Sequence, residues 1–165
     1  MLLAMALAAM RQHSREAFQT WLAEDLDVRD ELYAMMGKEL DVDLASLDVL
    51  ERFLLDRYRG PDQILKLDQR GVADAAARHV GRVITFEVDG AAWEIDLEDE
   101  KNVFYRLPIV RMADGFDDCP LALITTSLDR RTGRFLREHV EKLQEDYDRP
   151  RKKKPKPKAK SRRSR

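Results

Sequence analysis

Apolar residues recur at steps of three and four along the start of the chain. Leu3, Leu7, Met10, Ser14, Ala17 and Trp21 form one helical seam with a single polar interruption. The pattern predicts a long helix over residues 2–24, with Phe18, Trp21 and Leu22 as its apolar end. A second helix follows, capped by Asp27 and carrying Val28, Leu32, Met35 and Met36 on one face. Gly37 ends it by taking a left-handed conformation. Residues 2–37 thus read as a helical hairpin, and its seam would also suit a homodimer through the N-terminal helix.

The next helix opens at Ser46 as N-cap, with Asp48 and Glu51 near its positive end. Leu47, Leu50, Phe53, Leu54 and Tyr58 keep the helical period until Gly60-Pro61 stops it. From Val72 the chain is apolar on more than one side (Ala73, Ala75, Ala76, Ala77, Val80, Val83), which marks a central helix. Gly81 weakens that helix by about 1 kcal/mol relative to alanine, so the close approach of another backbone is expected there. Its end has two readings. Either the helix runs to about Phe86, or it stops near Val80 and Val83–Phe86 forms a strand.

Beyond the Asp89-Gly90 turn the period changes to two. Trp93, Ile95 and Leu97 alternate with Glu94, Asp96 and Glu98, giving a strand with one buried and one acidic face. Asp99–Asn102 makes a turn, and Val103–Arg111 is the partner strand, with Pro108 marking an edge or a bulge. Asp118 and Pro120 then read as N-cap and first-turn proline of a helix carrying Leu121, Ile124, Thr125 and Leu128. A last helix carries Phe135, Leu136, Val140, Leu143 and Tyr147 up to Pro150. The expected fold is α+β and mostly helical, with helices packed on a small antiparallel sheet. It divides into an N-terminal helical hairpin (1–44), an acidic α+β domain (45–148) and a tail (149–165).

Charge changes this picture most. Eleven of the 30 Lys and Arg residues lie in 149–165, and none of the 31 Asp and Glu, so residues 1–148 hold 19 bases against 31 acids, a net −12. The tail has no Val, Ile, Leu or aromatic residue, and Pro150, Pro155 and Pro157 interrupt it, so disorder is expected. Arg151, Lys152, Lys153, Lys154, Lys156, Lys158, Lys160, Arg162, Arg163 and Arg165 suit a polyanion, nucleic acid above all. No aromatic interleaves them, so contact without base stacking or sequence choice is expected. Anionic membrane is a second target, and the acidic body a third, through Glu94–Glu100 or Asp114–Asp118.

Catalytic patterns are absent from the sequence. His13, His79 and His139 fall in no metal-ligating frame, and Cys119 is the only cysteine, so the sequence implies no metal site and no cofactor. His79 reads as a hydrogen-bonded core histidine. Cys119 reads as a small buried residue, its place at a helix start allowing a reactive thiol as the other reading. Asp129–Gly133, ahead of a helix, is either an anion site or a capped loop. Glu94, Asp96, Glu98, Asp99 and Glu100 form a solvated acidic face, and are the candidate docking patch for a partner. The apolar opening MLLAMALAAM is too short to span a bilayer and has no leading basic residue, so a cytoplasmic protein is expected.

Several of these features occur together. Val80-Gly81 comes late in a helix, and Trp93, Asp96 and Leu97 follow in an alternating strand. Asn102, Tyr105, Leu107 and Pro108 come next, then a helix led by Pro120-Leu121. In this, residues 46–143 resemble small uncharacterised bacterial α+β proteins of unknown function. The resemblance implies a fold and a bacterial setting, and no reaction. The leading expectation is a non-catalytic binding protein whose acidic domain docks a protein partner while its tail touches nucleic acid. The alternatives are an immunity- or antitoxin-like neutraliser of a basic toxin enzyme, or an enzyme with a pocket near His79, Trp93 and Tyr105.

Overall fold

A computed structural model describes residues 7–147. The fold is α+β and mostly helical. Helices α1 (Arg15–Ala23), α2 (Asp25–Met36), α3 (Leu44–Arg57) and α4 (Pro61–Ile64) lead through a 3-10 turn (Leu67–Gln69) into α5 (Arg70–Glu87). Strands β1 (Ala92–Ile95), β2 (Pro108–Arg111) and β3 (Asp117–Asp118) follow, then α6 (Pro120–Arg130) and α7 (Phe135–Tyr147). The sheet is antiparallel in the order β1-β2-β3, with Trp93 opposite Val110 and Val110 opposite Asp118.

Helix α5 is the centre, as its all-round apolar composition predicts. It contacts α2, α3, α4, α6, α7 and strands β1 and β2. Val80, Val83 and Ile84 are completely enclosed. Their spacing is helical, and burying all three on one face overrides the β-preference of Val83–Phe86. The helix therefore continues to Glu87, and no strand takes over. Leu32 and Tyr33 of α2 enter the same core. A second, smaller cluster joins Phe18 and Trp21 of α1 to Ile95, with Trp93 bridging the two cores.

Four helix starts differ from the sequence pattern, and the first is α2, which begins at Asp25 behind Glu24, so that Asp27 lies inside its first turn and does not cap it. The expected helix over 2–24 is broken, because residues 11–14 are not helical and Ser14 caps α1 by accepting the Ala17 N–H. The polar interruption of the seam is thus a helix start. Helix α3 begins before Ser46, because Asp43 is its N-cap and accepts the Ser46 N–H at 2.8 Å. Asp118 does not cap α6. It belongs to β3, and Cys119 holds the cap position without a side-chain bond.

The second strand is also shorter than expected. Residues 99–106 form successive turns, and Pro108 is the first residue of β2, where a missing N–H is tolerated. Gly81 does permit a close approach, but by a side chain. A β-carbon there would overlap the indole of Trp93 and lie 3.1 Å from Cγ of Pro120.

Candidate functional site

The acidic stretch after β1 is a self-capped turn. Asp96 accepts from the Glu98 N–H (2.9 Å), the Asp99 N–H (3.1 Å) and Asn102 Nδ2 (2.7 Å). The two backbone amides, then Asn102, hold its carboxyl below the usual aspartate range. Glu94 Oε1 accepts its neighbour's Ile95 N–H at 2.9 Å and faces Arg15 at 3.0 Å. That amide bond, followed by Arg15, lowers the Glu94 pKa. Asp99 accepts the Lys101 N–H.

Glu94 and Asp96 are therefore occupied in holding the turn, and they share a groove with Arg15 and Arg111. Glu98, Asp99 and Glu100 are exposed and point the remaining negative charge outward. The five acids are brought together in space, but they divide into a frame and an exposed tip. The asparagine six residues after Asp96 was the sequence signal for this, since Asx side chains commonly close such turns.

His79 is fully enclosed, and both of its ring nitrogens are committed. Tyr33 Oη lies 2.7 Å from Nδ1 and Ser46 Oγ lies 2.8 Å from Nε2. Ser46 Oγ donates its one proton to the Asp43 carbonyl at 2.7 Å. Nε2 must then carry the ring proton and donate to Ser46, leaving Nδ1 to accept from Tyr33. Arg29 Nη1 donates to Tyr33 in turn, at 3.3 Å. The chain of bonds is complete with a neutral imidazole, and it ties α2, α3 and α5 together. Burial, and then the Arg29 charge, push the His79 pKa down to about 4.

Cys119 and His139 are likewise structural. Cys119 is buried, and burial raises its thiol pKa to about 11, outweighing the helix-start amides of Ala122 and Leu121. His139 Nε2 pairs with Asp118 Oδ2 and fastens α7 to β3. Sequence separation hid that pair.

The Asp129–Gly133 loop is a capped connection. Arg131, at φ 55°, donates to the carbonyls of Leu55, Tyr58 and Arg59 at 2.8–3.0 Å. The start of α7 is filled from within, because Glu51 Oε2 accepts the Leu136 N–H at 2.9 Å.

Trp93 lines an apolar cavity of about 20 Å³ to which neither His79 nor Tyr105 contributes. That is room for about one water molecule, and no organic substrate fits it. Among the described residues there is no metal-ligating cluster, and no helix is long and apolar enough to cross a membrane. The basic residues Arg151–Arg165 and the first turns of the N-terminal seam lie outside the described residues.

Comparisons with protein-family models, with curated proteins and with solved structures found no match. The functional reading therefore rests on this chain's own residues.

Proposed function

We propose that this is a non-catalytic binding protein with two working parts. The acidic body docks a protein partner, and the Lys/Arg/Pro tail contacts nucleic acid without sequence choice. The observation that carries this reading is the division of charge. Eleven bases and no acid stand in residues 149–165, against a net −12 before them. His79 and Cys119 support it further, since both are buried and taken up in hydrogen bonds or packing within the fold. The docking surface would be the exposed tip Glu98, Asp99 and Glu100, held in shape by Asp96.

Affinity capture from native lysate tests both parts. The full chain is set beside a chain ending at Asp148 and beside a triple variant Glu98→Lys, Asp99→Lys, Glu100→Lys. The full chain should recover nucleic acid that nuclease removes, and the shortened chain should not. A protein partner should be retained by the shortened chain and lost by the triple variant. Identical catches from all three would refute the proposal.

A further inference from the structure

Arg11 and Arg106 lie on one aromatic ring. Their guanidinium carbons are 5.9 and 4.9 Å from the centroid of Tyr105. Each is attracted by the ring, but neither has a carboxylate within ion-pair distance among the described residues. Arg15, Arg29, Arg78, Arg111 and Arg137 each have a carboxylate oxygen within 3.0 Å. Moreover, Nε of Arg11 and Nε of Arg106, like that of Arg70, are enclosed without an acceptor among the described residues. Two cations drawn to one ring, each with an enclosed Nε donor that meets no acceptor, call for an anion.

The backbone is arranged to keep them there. Arg106 sits at φ 62°, a left-handed conformation that long side chains rarely adopt. Its N–H donates to the Asp96 carbonyl at 2.8 Å, and its carbonyl accepts the Gln12 N–H at 2.7 Å. The second bond also brings the segment bearing Arg11 alongside. A glycine would relieve this conformation but would remove one of the two cations.

We infer that Arg11, Tyr105 and Arg106 form an oxyanion site that takes a phosphate group, free or as a small phosphomonoester. A tetrahedral dianion has oxygens enough to accept from both guanidinium forks and from the Tyr105 hydroxyl, and its charge offsets both cations. The site belongs to the folded body and does not depend on the tail.

Arginine Nε–Hε resonances of the full chain, titrated with inorganic phosphate and with glycerol phosphate, test this. Chloride at matched ionic strength is the control. Saturable shifts are expected at Arg11 and Arg106, and not at the tail arginines. The ester binding more tightly would point to a phosphomonoester, and equal binding to phosphate itself.

Arg106→Gly keeps the φ and should fold as well as the parent, yet bind about tenfold more weakly, as should Arg11→Gln. Non-saturating shifts, shifts shared equally by tail arginines, or unchanged affinity in Arg106→Gly would each overturn the assignment.

Discussion

Gly81 and Trp93 occupy one contact between helix α5 and strand β1, where the indole fills the space a β-carbon on residue 81 would need. Trp93 in turn stands edge-on to Trp21, with centroids 5.0 Å apart, so it is held from both sides. Gly81→Ala should therefore destabilise the protein by about 1–3 kcal/mol, despite alanine's better helix propensity. In a Trp93→Ala background the same change should become neutral or stabilising by about 1 kcal/mol. Denaturant melts of the four chains check this sign reversal.

The buried imidazole gives a pH dependence. The unfolded chain takes up a proton near pH 6.5, whereas folded His79 resists it until about pH 4. Stability is thus complete above pH 6.5 and falls as pH drops through that interval, by on the order of 3 kcal/mol. His79→Gln should lower stability at neutral pH and flatten this slope. The lowered carboxyls of Glu94 and Asp96 act in a separate, more acidic window. They contribute above their ordinary pKa values and lose that contribution as pH falls through the depressed ones. Urea midpoints measured from pH 7 down to about pH 2 separate the two.

Arg78 is the arginine most completely enclosed among the described residues. It stacks 3.9 Å from the Trp21 ring, donates to the Trp21 carbonyl and pairs with Asp74 at 2.8 Å. Asp74 also accepts from Trp21 Nε1 at 2.9 Å. Asp74→Ala leaves the buried cation without its counter-ion and should cost about 3–5 kcal/mol. Arg78→Met removes the charge while keeping much of the volume, and should cost less. Thermal unfolding of the two variants gives the order, and the reverse order would refute it.

Much of this architecture was legible in the chain. The period of 3.6 located α3, α5, α6 and α7, and the period of two located β1, because each is set by one buried face. Gly37 ends α2 at φ 67°, as a left-handed cap should. Errors fell where a polar side chain had two local uses. Ser14 reads equally as a gap in a seam or as a cap. Ser46 can cap a helix or bond inside its first turn, and Asp43, three residues earlier, took the cap. The acidic cluster was visible as composition, but its division between Asp96 and the exposed tip depends on hydrogen bonds that spacing alone does not fix. The Arg11–Tyr105–Arg106 cluster joins residues more than ninety positions apart and carries no motif.

The separation of charge is tested most directly by the salt dependence of duplex DNA binding. Fluorescence anisotropy is measured for the full chain and for a chain ending at Asp148. The full chain should bind with log K falling against log salt by roughly 0.9 for each phosphate engaged, and with equal affinity for unrelated sequences. The shortened chain, at net −12, should show no binding. Equal binding by both chains, or binding by the full chain that salt leaves unchanged, would contradict the account.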